Sequence, residues 1–119
     1  MPMRFEEGQT PAGHLCLRIH ATGQISLADS QQLGERLALG SKYHDQRLIT
    51  FTAKDTEYTV EARKYLPTLK YHYKGLAVVL QSVIVRAAIN LMIRFAGDNG
   101  KTVMFRDEAE AMRWLDSLE

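Results

Sequence analysis

The side chains in this sequence that could do chemistry are few and scattered. Four histidines (His14, His20, His44 and His72) and one cysteine, Cys16, are the candidates for metal ligation or nucleophilic attack. A metal site read from sequence needs ligands at close, repeated spacing, such as Cys-x-x-Cys or His-x-x-x-His. No such pair occurs. His14 and His20 fall on one side of an extended segment, but six residues of strand separate them by roughly 20 Å. The histidines therefore read as surface or partly satisfied side chains, and no metal is expected. Cys16 as a nucleophile would need a base, and His14 lies two residues away on the same side of the strand. A small packed residue is the simpler account of a free cysteine.

The familiar loops are missing as well. The chain has no GxGxxG, no GxxxxGK[ST] and no GxSxG. Asp98-Asn99-Gly100-Lys101 has a superficial likeness to a phosphate loop, but it lacks the glycine spacing and precedes a strand, so it reads as a tight turn. Without a visible acid–base or nucleophile pair, no catalytic site and no cofactor are expected. Lys70-Tyr71-His72-Tyr73-Lys74, with Arg63 and Lys64 upstream, is a basic and aromatic cluster. It could stack on single-stranded nucleic acid or simply end a helix, where cations suit the negative end of the dipole. Fifteen basic against fourteen acidic residues give a net charge of +1. No wider basic face supports the first reading, and nucleic acid is not expected as a partner. Arg86 and Arg94, two turns apart on one helix, share a face. A cation so near a helix start is electrostatically unfavourable, which makes Arg86 a candidate anion contact.

The elements that must position these residues follow from composition and periodicity. A chain of 119 residues, 45% hydrophobic and 24% charged, has the size and balance of one ordinary domain with a real core. One thiol forms no internal disulfide and fits a reducing, cytoplasmic setting. Met1–Gly8 carries no apolar signal core, and the longest apolar stretch, Val83–Ala96, is interrupted by Arg86, Asn90 and Arg94, so no membrane span is expected. Arg4–Glu7 is a candidate edge strand. His14–His20 alternates, with Leu15, Leu17 and Ile19 on one side. Ser26 caps a helix over Leu27–Leu39 that Gly40 stops, with Asp29 completing a capping box. Arg47–Ala53 reads as a strand and Lys54–Tyr58 as a loop. Thr59 caps a helix from Val60 to about Tyr71, which Pro67 should kink or shorten. Gly75–Leu80 is an unbroken apolar run, as in a central parallel strand. Ser82 caps a helix with a stripe of Ile84, Ala87, Ala88, Leu91, Met92 and Phe95, ended by Gly97. Lys101–Arg106 is a short strand, and Asp107 with Glu110 forms a capping box for a last helix bearing Ala111, Trp114, Leu115 and Leu118. Strands alternating with helices call for an α/β fold with a mostly parallel sheet.

Gly75–Leu80, Ser82, Arg86, Val103–Asp107 and Glu110–Leu115 together resemble the SpoIIAA-like, or STAS-like, domain families. Thr59–Tyr65 is similar to the helix start seen in uncharacterised bacterial groups of that kind. The resemblance covers residues 47–119 well and 14–46 in outline. It implies a mixed, mostly parallel sheet of four or five strands with about four helices. It also implies a non-enzymatic, regulatory protein-interaction module, whose partner surface would comprise Thr56, Tyr58, Thr59, Glu61 and Arg63. The phosphoregulated members carry a serine in an Asp-Ser-Ser-Gly-like setting. Here the matching residues are Tyr58-Thr59-Val60-Glu61-Ala62, so the switch is absent and Thr59 is expected as a plain N-cap. The related architecture of CRAL-TRIO domains implies an alternative, a lipid-like apolar ligand held by Ile84, Ala88, Leu91, Met92 and Phe95. That stripe could equally be ordinary core. A homo-oligomer is compatible with either reading.

Overall fold

The computed structural model describes residues 1–97 and 100–119, with Phe95 and Ala96 described in backbone only. The turn expected at Asp98 and Asn99 lies outside the described residues. Seven strands and four α-helices follow one another as β1 (Met3–Glu6), β2 (Cys16–Ala21), β3 (Gln24–Ile25), α1 (Leu27–Leu37), β4 (Gln46–Thr52), β5 (Glu57–Tyr58), α2 (Val60–Tyr65), β6 (Tyr73–Val79), α3 (Val83–Ala96), β7 (Thr102–Phe105) and α4 (Glu108–Ser117). The main sheet has the order β1-β2-β4-β6-β7. Only the β1–β2 pair is antiparallel. The expected fold class, an α/β arrangement with a mostly parallel sheet, is what forms.

The sheet separates two layers. Leu17, Ile19 and Leu48 pack with Leu33 and Leu37 of α1, Ala62 of α2 and Leu69. Val78 and Leu80 pack under Val85 and Ile89 of α3. On the other face Cys16, Ile49 and Ala77 meet Ala111, Met112 and Leu115 of α4 alone. The alternation of β2 explains the split: neighbouring side chains point to opposite faces, so Cys16 goes to α4 and Leu17 to α1.

Several boundaries differ from the sequence reading. Residues 57–58, expected in a loop, pair in parallel with Gln24–Ile25 as a small second ladder. Two residues are too short for periodicity to register. His14 precedes β2, so it does not share a strand face with His20; Leu15 forms only an isolated bridge with Gln9. Helix α1 ends at Leu37, leaving Leu39 83% exposed. Helix α2 ends at Tyr65, and Leu66–His72 continues as a tighter 3-10 helix with Pro67 in its first turn. That is the early end Pro67 should impose, since proline removes a helical N–H.

Of the two expected capping boxes, one forms in full. Ser26 accepts the Asp29 N–H and the Asp29 carboxylate accepts the Ser26 N–H, so the box at α1 is complete. At α4 only the Asp107 half is formed, accepting the Glu110 N–H at 2.8 Å, while the Glu110 side chain stands in solvent.

The largest correction concerns α3. Its buried face is Val85 and Ile89, flanked by Met92 and Ile93, not the stripe beginning at Ile84. Ile84 is 83% exposed and Leu91 51%. Outside the polar strip of Arg86, Asn90 and Arg94 the helix is apolar, so two stripes one residue apart both fit its sequence, and the sheet selects between them.

Candidate functional site

The residues expected to form a partner surface divide by depth. Thr56 is buried, and its hydroxyl donates to the Ala21 carbonyl at 3.2 Å, tying the β4–β5 connection to the end of β2. It is therefore not a surface residue. Thr59 caps α2, its Oγ1 accepting the Ala62 N–H at 3.1 Å. Tyr58 is half-buried and turns toward the interior. Glu61 and Arg63 are exposed on α2.

Two neighbouring concavities lie on the face of the sheet that α1, α2 and α3 cover. The first is a partly open, largely apolar cavity of about 100 Å³. Its floor is the sheet face of Ile19, Leu48 and Val78, and its roof includes Leu69, Ile89 and Met92. Hydroxyls of Thr50, Thr52, Tyr58 and Thr102 interrupt this surface. Tyr73 Oη and Thr102 Oγ1 bond each other at 3.2 Å. Thr52 is only 8% exposed, and the polar group its hydroxyl meets is the Tyr58 phenol. The Tyr58 phenol stands beside it and is pushed up to about 12 by burial, an effect Thr52 partly offsets.

The second is an open groove of about 640 Å³ between α2, the Leu66–His72 segment and α3. Val60, Tyr71 and Leu91 supply exposed apolar surface there, at 51%, 75% and 51% exposure. Arg63 and Lys64 add positive charge to its wall. Pro67 and Met92 line both concavities and form the partition between them.

Of the stripe expected to line an apolar pocket, Met92 faces both spaces and Leu91 faces the groove. Ile84 lines neither, and neither does Ala88. The side chain of Phe95 lies outside the described residues. Arg86 is half-buried, with no ion pair among the described residues. The Lys70–Lys74 cluster does not act as a unit. Tyr71 is exposed in the groove, Tyr73 is buried at the start of β6, and Lys74 Nζ donates to the Glu119 carbonyl oxygen at 2.7 Å.

The opposite side of the sheet carries a polar ledge beyond α4. His20 Nε2 meets Glu6 Oε1 at 2.5 Å and its ring stacks on Phe51, with Arg18 over the same ring and paired to Glu108. These contacts satisfy one another. Among the described residues no group of three His, Cys, Asp or Glu side chains is placed to hold a metal ion. No helix among them is long and apolar enough to cross a membrane.

Cys16 is fully buried under α4, and burial pushes its thiol from 9.0 to about 11 despite the nearby Arg18 and Arg47. At pH 8 the native thiolate should be about 100-fold scarcer than in the unfolded chain. Native protein is expected to resist iodoacetamide while denatured protein reacts, as read by mass spectrometry. Both Cys16 and Tyr58 also bear on alkaline stability. From pH 9 the unfolded chain loses the Cys16 proton, and from pH 10 the Tyr58 proton, before the folded protein does. The folded state then holds more protons, so stability falls as pH rises. The thermal midpoint followed by circular dichroism is expected to drop between pH 9 and 12, and less so in Tyr58→Phe.

A family model matches residues 12–119. The chain belongs to the family described as Domain of unknown function (DUF7793). Among solved structures, this DUF7793 chain is similar to an uncharacterized protein from the DUF3478 family with a SpoIIAA-like fold, from Shewanella loihica PV-4, known from a crystal structure at 2.25 Å resolution. The two are 16% identical, the match covers 95% of this chain and 93% of that one, and the TM-score is 0.65. Likeness at that identity establishes the fold and nothing more, and the fold is the SpoIIAA-like one that residues 47–119 resemble. No curated protein sequence matches.

Proposed function

We propose that the chain is a non-enzymatic regulatory module that binds an acidic, amphipathic segment of a protein partner in the groove between α2, the Leu66–His72 segment and α3. The observation that carries this reading is the groove itself. It leaves Val60, Tyr71 and Leu91 exposed beside Arg63 and Lys64. Exposed apolar side chains rimmed by charge of one sign suit an amphipathic segment of the opposite sign. This moves the partner surface a few residues from the one implied by resemblance. Glu61, Arg63 and Thr59 stay on or beside it, and Thr56 leaves it. Thr59, engaged as a helix cap, acts in this reading without a phosphoswitch. The buried thiol fits a cytoplasmic setting.

An acidic amphipathic peptide titrated into isotope-labelled protein should shift amide resonances of α2 and α3. A basic peptide with the same apolar residues should not. Val60→Asp should weaken the acidic peptide at least tenfold, by removing apolar contact and adding repulsion. Equal shifts from both peptides, or none from either, would count against the groove.

A second reading, binding of a small apolar ligand, is favoured by the cavity beneath α3. A ligand bound there should appear as an added mass in native mass spectrometry of freshly purified protein. The cavity is lined from the sheet and from Ile89, Met92 and Ile93, not from Ile84 or Ala88.

A further inference from the structure

The two edges of the main sheet are built differently. β1 ends the sheet with Arg4 and Glu6, both exposed, just after Pro2. Charged side chains and proline on an edge discourage another strand from pairing there. β7 ends it with Thr102-Val103-Met104-Phe105, which carries neither. All four of these residues are only half-buried. Met104 packs into the α3 cluster and Phe105 against Trp114 of α4. Ile93 of α3 and Trp114 are half-buried too, so both helical layers stop short of covering this edge.

The hydrogen bonds to β6 show which backbone groups of β7 point outward. The Lys101 and Phe105 carbonyls accept the N–H groups of Leu76 and of Leu80, just beyond β6, at 2.8 and 3.1 Å. Backbone groups alternate sides along a strand. The odd-numbered residues of β7 therefore face β6, and the N–H and C=O of Thr102 and Met104 point out of the sheet. Among the described residues no strand lies across that edge.

We propose that β7 pairs antiparallel with β7 of a second copy, joining the two five-stranded sheets into one. Symmetry sets the register. A two-fold axis perpendicular to the sheet, combined with the outward groups, places Met104 opposite Met104 of the second copy. The two methionines exchange a pair of hydrogen bonds, and Thr102 exchanges a pair with Arg106 on either side. On the α4 face Val103 then lies against Phe105 of the second copy, a β-branched and aromatic pair of the kind that stabilises sheets. No like charges are opposed, because Arg106 meets Thr102 and Lys101 meets Asp107. An uncharged edge that matches itself in this way suits a second copy of the chain. Val103, Met104 and Phe105 line neither concavity, so the pairing is independent of the groove.

Sedimentation of the full chain over a range of concentrations tests this. Wild type is expected to move from 13.5 kDa toward twice that mass. Met104→Pro removes an outward N–H, which an edge strand tolerates, and should weaken association about tenfold or more, since two symmetric hydrogen bonds are lost. Met104→Lys keeps an apolar stem over the α3 cluster and sets like charges on the axis, and should do the same. Wild type that stays monomeric at every concentration overturns the proposal. So does a variant, folded by circular dichroism, that dimerises as well as wild type. If both variants unfold, a half-labelled wild-type dimer decides. Opposed residues without mutual hydrogen bonds approach to about 4.5 Å at Cα, so an Overhauser effect between the α-protons of Val103 in one copy and Phe105 in the other supports the pairing, and its absence overturns it.

Discussion

Replacing Arg47 with alanine is expected to destabilise the fold by about 3–5 kcal/mol. Arg47 is 4% exposed at the start of β4, on the face that α4 covers. Its Nε donates to the Leu115 carbonyl and its Nη2 to the Leu118 carbonyl, each at 2.6 Å. The last carbonyls of a helix have no partner within the helix, and a cation there also meets the negative end of the dipole. One guanidinium thus closes the end of α4 and fastens it to the central sheet. Removing it takes a charged donor from both carbonyls, leaving Leu115's with only the Leu118 N–H at 3.3 Å, at about 1.5–3 kcal/mol for each bond lost, and leaves a void where the side chain lay. Against a total stability of about 5–15 kcal/mol for a domain of this size, that is a large share. Urea denaturation followed by Trp114 fluorescence measures it. Arg47→Met retains the apolar stem, so a loss close to that of alanine would assign the effect to the hydrogen bonds. A methionine variant as stable as wild type would refute this account.

The second large effect is expected at Gly75, paired with Arg47 across the β4–β6 ladder. The requirement here is space. A Cβ at this position would lie 2.5 Å from Leu118 Cδ1 and 3.2 Å from the edge of the Trp114 ring. The leucine methyl can rotate away, but the indole, packed against Phe105 with ring centroids 5.8 Å apart, has less room to yield. Gly75→Ala is expected to cost about 1 kcal/mol, and Gly75→Val about 3 kcal/mol, as α4 lifts from the sheet. The thermal midpoint should fall in that order, with a shift in Trp114 emission. Because both sites act through the same helix end, Gly75→Val and Arg47→Ala should not add: once α4 has lifted, Arg47 has less left to lose.

These two residues show where reading the sequence stopped. Gly75 stood out only as the first residue of an apolar run, and Arg47 only as the first of a strand. Neither position is unusual locally. Their importance comes from α4, roughly forty to seventy residues further along the chain, which lands on the β4–β6 seam. The same holds for the cavity. Thr52 reads as one more β-branched residue in a strand. Its burial beside the Tyr58 phenol depends on Leu69, Ile89 and Met92 closing over this part of the sheet from two other elements. A contact between distant segments leaves no periodic trace in either of them.

Helix starts were legible because caps act within four residues. Ser26, Thr59, Ser82 and Asp107 each accept the N–H three residues on, as their spacing predicts. The parallel sheet was legible because strands buried on both faces need apolar side chains throughout, as at Gly75–Leu80. Sequence alone determined the order of the main-sheet strands and the four helices, though not the short β3–β5 ladder, and, through the residues between 47 and 119, the likeness to the SpoIIAA-like fold. Only the tertiary structure decided which side of α3 is buried. A helix whose apolar arc is wide does not say which part of that arc is buried, so the sheet chose Val85 and Ile89 and left Ile84 in solvent. That choice also made both candidate sites: it turned Met92 into the partition between an apolar cavity and an exposed groove, and placed Leu91 on the groove side.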